Sequence, residues 1–257
     1  MKLKEKLWNW AHLEGSHNKY TSMTLSMTPE TFAEEFGIPN AFVVSFGGNI
    51  QPPFDDMAKR MSGLRELKWA VLSDISTPLP EDELGNTKDV LEVAAKYDHI
   101  TGGIMDDFFF PERMERFTPE VLKKIRKALN DKGMDFWCVL YTNQLEEDLG
   151  DLIDCYDGVS MWVWESENIV NMEQYFAKLK ELAPDKKLML GLYLWDYNTK
   201  KEMDPALFEQ HLSFNFSKIE NGEIEGMIVC SNAVGDGGFK SCDILKEYVA
   251  KYGDKEV

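Results

Sequence analysis

The sequence is short of positive charge. Its 257 residues carry 28 Lys and Arg against 45 Asp and Glu, a formal net charge of −17. Such a chain repels phosphate backbones and anionic lipid surfaces, which argues against nucleic-acid and membrane-surface roles. Long hydrophobic runs are missing as well. No stretch approaches the roughly 18–20 apolar residues that span a bilayer, so no membrane insertion is expected. The basic start Met1-Lys2-Leu3-Lys4-Glu5-Lys6 is not followed by an apolar segment. The chain as it stands is therefore expected to carry no signal peptide and to be cytoplasmic; a periplasmic or secreted home requires one removed beforehand. Cys138, Cys155, Cys230 and Cys242 show no CxxC spacing, and Cys138 and Cys230 sit in apolar runs as small core residues. No Walker or dinucleotide fingerprint and no GxSxG elbow occurs. Neither a nucleotide cofactor nor a serine triad on such an elbow is implied, and no cofactor is expected.

What is present is a rhythm. A short apolar run, a loop and an amphipathic helical stretch follow one another eight times. The runs cover residues 7–12, 41–46, 68–73, 100–107, 135–141, 158–164, 187–194 and 226–231. Each is rich in β-branched, aliphatic or aromatic residues and bounded by Gly, Pro, Asn or Asp, as strands are. Helices fall between them. Thr28-Pro29-Glu30, Thr118-Pro119-Glu120 and Asp204-Pro205 each pair a capping side chain with Pro at the first helical position. Val121, Leu122, Ile125 and Leu129 recur at helical spacing. Further helical stretches are read over 54–62, 87–96, 146–154, 169–182 and 243–252. Eight β-then-α units in about 250 residues match a (β/α)8 barrel, an α/β fold. An open doubly wound sheet would carry a Gly-rich turn after residues 7–12, which is absent. No Pro/Ser-rich linker divides the chain, so one domain is expected over 1–257.

Barrels of this kind place their chemistry at the C-terminal ends of the strands. Those ends carry His12, Ser45, Asp74, Asp106, Asp107, Tyr141, Asn143, Trp164, Glu165, Trp195, Asp196 and Asn232. Acids, amides and aromatics make up this rim; Lys and Arg are missing from it. Such a set suits a neutral carbohydrate, whose hydroxyls bond carboxylates and amides while its C–H faces lie on aromatic rings. Seven Trp fall in or beside the strands. About half are expected in the core, with Trp10, Trp164 and Trp195 nearest the strand ends and best placed for a ligand. Tyr141 serves equally as a sugar contact or as filling for the barrel interior.

The segment Gly102-Gly103-Ile104-Met105-Asp106-Asp107-Phe108-Phe109-Phe110 is the most informative. Carboxylates beside so much apolar surface are costly unless paired or used. Adjacent strand residues point to opposite faces, so one acid is expected at the mouth and the other against a neighbouring strand or loop. Hydrolysis of a glycosidic bond needs two carboxyls about 5–5.5 Å or 6.5–9.5 Å apart. The partner is then Glu165, after the sixth strand, with Asp196 less favoured. Trp162 and Trp164 flank Glu165 and suit it to a general acid. Asp106 or Asp107 becomes the nucleophile or the base. The alternative reading has one of the acids capping the following loop and Glu165 capping the following helix. An Asp pair ending strand four, with acids after strands six and seven, resembles the TIM-barrel glycoside hydrolases. That resemblance spans nearly the whole chain and implies an Asp106 or Asp107 nucleophile with Glu165 as acid/base. The chitinase-type DxxDxDxE string and an Asn-Glu pair are both absent from strand four.

Three other readings stay open. A metal-dependent barrel hydrolase would draw on His12, His17, Asp74, Asp106 and Asp107, although no HxH string exists and the two His are not at i, i+4; no metal site is expected. A phosphate-binding barrel would use Gly235-Asp236-Gly237-Gly238 after the eighth strand, against the charge of Asp236. A barrel that binds carbohydrate without cleaving it fits the same aromatic rim.

Overall fold

Eight parallel strands close into a barrel in a computed structural model that describes residues 1–257. They are β1 (Leu7–Ala11), β2 (Asn40–Val43), β3 (Glu66–Leu72), β4 (Ile100–Met105), β5 (Asp135–Tyr141), β6 (Gly158–Trp162), β7 (Lys187–Tyr193) and β10 (Gly226–Cys230). β8 (Trp195–Asp196) and β9 (Lys201–Glu202) form a small antiparallel hairpin above β7. Helices α2 (Pro29–Phe36), α3 (Asp55–Arg60), α4 (Thr87–Ala94), α6 (Pro119–Asn130), α8 (Met172–Leu182), α9 (Pro205–Glu220) and α10 (Lys240–Tyr252) lie between the strands. Thr28 and Asp204 cap α2 and α9 through their side chains, whereas Thr118 begins α6 without a side-chain bond. α6 buries Leu122, Ile125 and Leu129. No helix is long and apolar enough to cross a membrane.

Some boundaries differ from the sequence reading. The stretch 146–154 is helical only in α7 (Gly150–Ile153). Glu146, Glu147 and Asp148 stay outside it, at the positive end of the helix dipole rather than stacked along a helix. Residues 169–171 belong to a tighter 3₁₀ turn, Ser166–Asn171, where β-branched Ile169 and Val170 delay the α-helix. Two short helices, α1 (Asn18–Thr21) and α5 (Pro111–Arg116), were not expected from periodicity.

The barrel interior is an aromatic column. At its base the Lys68 ammonium lies 2.5 Å from Asp135 and over the rings of Trp8 and Trp137, at 5.2 and 5.6 Å. Phe42 packs on Trp8 and Trp10, Trp10 on Trp162, and Trp162 on Tyr193. Rings this large fit because glycine faces them. A Cβ on Gly158 would come 2.5 Å from the Trp137 indole, and one on Gly191 would come 2.1 Å from that of Trp162. The column therefore fills the axis and supports whatever sits at the upper mouth.

Candidate functional site

A cavity of about 350 Å³ opens at the C-terminal mouth of the barrel. It is reached by following the inward-facing residues of each strand upward in steps of two. On β1 the series runs Trp8, Trp10, His12; on β5 it runs Asp135, Trp137, Val139, Tyr141. The last members of these series line the cavity, as do Trp162, Trp164, Tyr193 and Cys230 from β6, β7 and β10.

Asp106 and Asp107 both line the cavity, which corrects the expectation that one of them faces away. The Asp106 N–H donates to the Leu72 carbonyl at 2.8 Å and so extends the strand ladder, keeping its side chain on the inner face. β4 has already ended at Met105, and Asp107 adopts a left-handed backbone, φ 47°. That turn breaks the alternation and brings the second carboxylate to the same side. Aspartate tolerates this conformation better than most residues. Asp107 Oδ1 accepts from the Tyr141 hydroxyl at 2.8 Å, and Oδ2 accepts from the Ile75 N–H at 2.9 Å. Burial, then the charges of Asp107 and Asp74, push the Asp106 carboxyl well above the usual carboxylate range. Burial also raises Asp107, opposed by its bonds to Ile75 and Tyr141. Two adjacent acids in one apolar cavity thus each favour the protonated form, Asp106 the more strongly.

The neighbourhood is built around these acids. Asp74 lines the cavity, but its carboxylate is engaged by the Ser76 hydroxyl at 2.5 Å and the Thr77 hydroxyl at 2.6 Å, fixing the loop that presents Ile75. Arg113, on α5, is buried and donates to the carbonyls of Ser73, Asp74 and Asp106, each at 2.7 Å. It ties the ends of β3 and β4 together and places a positive charge behind the acids. His12 donates from Nδ1 to the Val44 carbonyl at 3.0 Å, and burial lowers the ring to about 4, so it is neutral. His17 lies 4.6 Å from it, ring to ring, bonds the Tyr197 hydroxyl, and is held well below the usual imidazole range, by burial first and then by neighbouring His12 and Lys19. No group of three or more His, Cys, Asp or Glu is disposed to hold a metal ion.

Six residues of the expected rim lie outside the cavity; one is Ser45, whose hydroxyl accepts from the Ile50 N–H at 3.0 Å. Glu165 is half-buried, precedes the 3₁₀ turn and caps nothing. It lies three residues past the end of β6 and is not among the residues that line the cavity. Asn143 is exposed in a 3₁₀ turn (Thr142–Gln144); Gln144 turns inward instead, bonding the Tyr141 N–H and the Phe109 carbonyl. Trp195 packs on Phe239 at 4.8 Å. Asp196 accepts from the Ser166 hydroxyl and the Thr199 N–H, stabilising the hairpin that carries Tyr197 and Lys200 to the cavity. Asn232 is fully buried and cross-links His12 to Met27 through their carbonyls. Gly235–Gly238 also lie away from the cavity, with Asp236 held by Ser26. Trp10, Trp164, Tyr141, His12, Asp74 and the two acids are the nominated residues that the cavity gathers.

Other lining residues were missed. Tyr20 comes from the short helix α1, Phe46 from just past β2, and Tyr197 and Lys200 from the hairpin turn; Lys200 gives the rim a cation where none was expected. Tyr193 and Trp162 read as core because they are both core and cavity floor.

No family model matches the chain, and no curated protein matches it. Among solved structures, it resembles the tryptophan synthase α-subunit of Pyrococcus furiosus, with 12% identity, TM-score 0.53 and 98% of both chains covered. It also resembles the spore cortex-lytic enzyme SleL of Bacillus megaterium, with 12% identity and TM-score 0.59 over 96% of this chain and 74% of that one. The GH18 chitinase ChiB of Flavobacterium johnsoniae is similar at 11% identity and TM-score 0.54, over 96% of this chain and 94% of that one. At such identities the shared feature is the TIM barrel.

Proposed function

We propose that the chain is a glycoside hydrolase acting on a neutral carbohydrate at the barrel mouth, with Asp106 as general acid and Asp107 as its ionised partner. The fold alone decides nothing, because the same barrel carries a chitinase in one neighbour and a tryptophan synthase subunit in another. The observation that carries the reading is the pair of adjacent acids open to one aromatic-lined cavity. A protonated carboxyl can deliver a proton to a departing glycosidic oxygen. Its ionised neighbour stabilises the positive charge that develops on the sugar. The rings of Trp10, Trp162, Trp164, Tyr193 and Tyr197 supply C–H contact faces.

Aryl glycosides test this directly. Asp106→Asn and Asp107→Asn are each expected to lose about 10²–10⁴-fold in turnover while still quenching or shifting tryptophan emission with sugar. Variants as active as the parent would overturn the assignment. A parent chain that binds oligosaccharide and cleaves none would make it a carbohydrate-binding barrel.

A further inference from the structure

We propose that the substrate carries an apolar aglycone: its sugar lies in the cavity, and its alkyl or aryl group lies across the rim between Ile75 and Trp164. This rests on the hydrolase reading above and narrows its substrate class.

The chain leaves few large apolar side chains open to water: Met1, Met23, Ile75, Trp164 and Val170. Two of these, Ile75 at 55% exposed and Trp164 at 39%, line the mouth cavity. Single apolar residues scattered on a surface are ordinary, but two at the lip of one cavity mark a contact face. Both are tied to Asp107. The Ile75 N–H donates to Asp107 Oδ2 at 2.9 Å. The Tyr141 hydroxyl donates to Oδ1 at 2.8 Å, and the Tyr141 ring meets Trp164 edge-on with centroids 6.2 Å apart. Around the barrel the order is β3, β4, β5, β6. Asp107 and Tyr141 therefore sit between Ile75, which follows β3, and Trp164, which follows β6. The two apolar side chains bracket the acids, where a leaving oxygen must stand to take a proton.

The polar groups beside this bracket are already engaged. The Asp74 carboxylate accepts from the Ser76 and Thr77 hydroxyls, and the Ser76 oxygen accepts from the Gly47 N–H at 3.0 Å. Gln144 is turned to the Tyr141 N–H and the Phe109 carbonyl. Lys200 stands on the hairpin above β7, outside the bracket. A second sugar here would press hydroxyls against Ile75 and Trp164 and exchange bonds to water for none. Ile75 also offers no flat face for a sugar ring. An alkyl or aryl group brings no hydroxyls, and its contact takes apolar surface out of water on both sides.

The test keeps the leaving oxygen alike and varies its tail. Methyl, butyl, hexyl and octyl β-glucosides, β-galactosides, β-mannosides and β-xylosides are compared below their micelle concentrations, with cellobiose and lactose alongside, by release of free sugar. Expected is a kcat/KM that rises roughly fourfold for each methylene buried at the rim, with the disaccharides no better than the methyl glycosides. Ile75→Ser and Trp164→Ala should each cut the octyl-to-methyl ratio about tenfold. Val170→Ser, exposed but outside the cavity, should keep the parent ratio. A kcat/KM independent of tail length, a ratio unchanged in both rim variants, or disaccharides cleaved faster than octyl glycosides overturns the inference and leaves the hydrolase reading standing. No turnover of any of these compounds overturns the hydrolase reading and the inference with it.

Discussion

Asp106 sits where its charge is unwelcome, and that has a stability signature. In an unfolded chain an aspartate ionises near pH 3.9. Burial and the charges of Asp107 and Asp74 hold the native group well above that. Between the two values the native state binds more protons than the unfolded state, so stability falls as pH rises through that window. Asp106→Asn removes the effect. Its melting temperature should exceed the parent's at pH 8, and the gap should close toward pH 4; equal melting temperatures across that range would contradict it. The sequence made the chemistry of this position visible but not its geometry. Alternation along a strand separates residues 106 and 107, whereas the left-handed turn at Asp107 that reunites them is permitted by an aspartate but not dictated by it. Arg113 was equally hidden, since one arginine in a short helix looks like surface until the strand ends are seen around it.

At the level of elements, the strands are matched by bulk. Gly191 on β7 exists opposite Trp162 on β6, and an added Cβ would come 2.1 Å from the indole. Gly191→Ala is expected to cost about 1–3 kcal/mol through overpacking. It should also blunt the fluorescence response to sugar, because Trp162 floors the cavity. Gly63→Ala, with nothing within 4 Å of its Cβ position, should leave both unchanged and serves as the control. A denaturation midpoint for Gly191→Ala equal to the parent's would refute the packing argument. Strand positions were readable because apolar runs bounded by turn residues are what parallel strands require. The step-of-two count along each run carried further information. It favours Trp162, Tyr193 and Cys230, since parity and not residue chemistry decides which strand side chains enter a barrel. Asn143 and Trp195 keep the parity of Tyr141 and Tyr193, yet a 3₁₀ turn and a hairpin intervene, and parity lapses where the strand stops.

For the molecule as a whole, acid is the weak side. His12 and His211 are buried, and burial lowers each to about 4. As pH falls below about 6.5 the unfolded chain takes up protons at these rings while the native chain does not, so stability present above 6.5 is lost toward pH 4. The gap is worth about 3 kcal/mol for each ring. His211, on α9 and away from the mouth, has an unpartnered buried Nε2. His211→Leu should therefore flatten the acid-side loss in denaturant titrations at pH 4.5 and 7, and an unaltered difference would count against it. The eightfold alternation exposed the architecture in advance because every unit must bury one helix stripe and one strand, and the pattern repeats with the chain. What lay beyond the repeating units, Tyr20 in the short helix α1 and Phe46, Tyr197 and Lys200 in connecting segments, carries no such periodicity. The aromatic column has a last consequence. It stoppers the cylinder beneath the mouth, so nothing can thread through from end to end. Whatever departs must back out by the door it came in, and accumulated product should compete with incoming substrate, bending progress curves sooner than depletion alone.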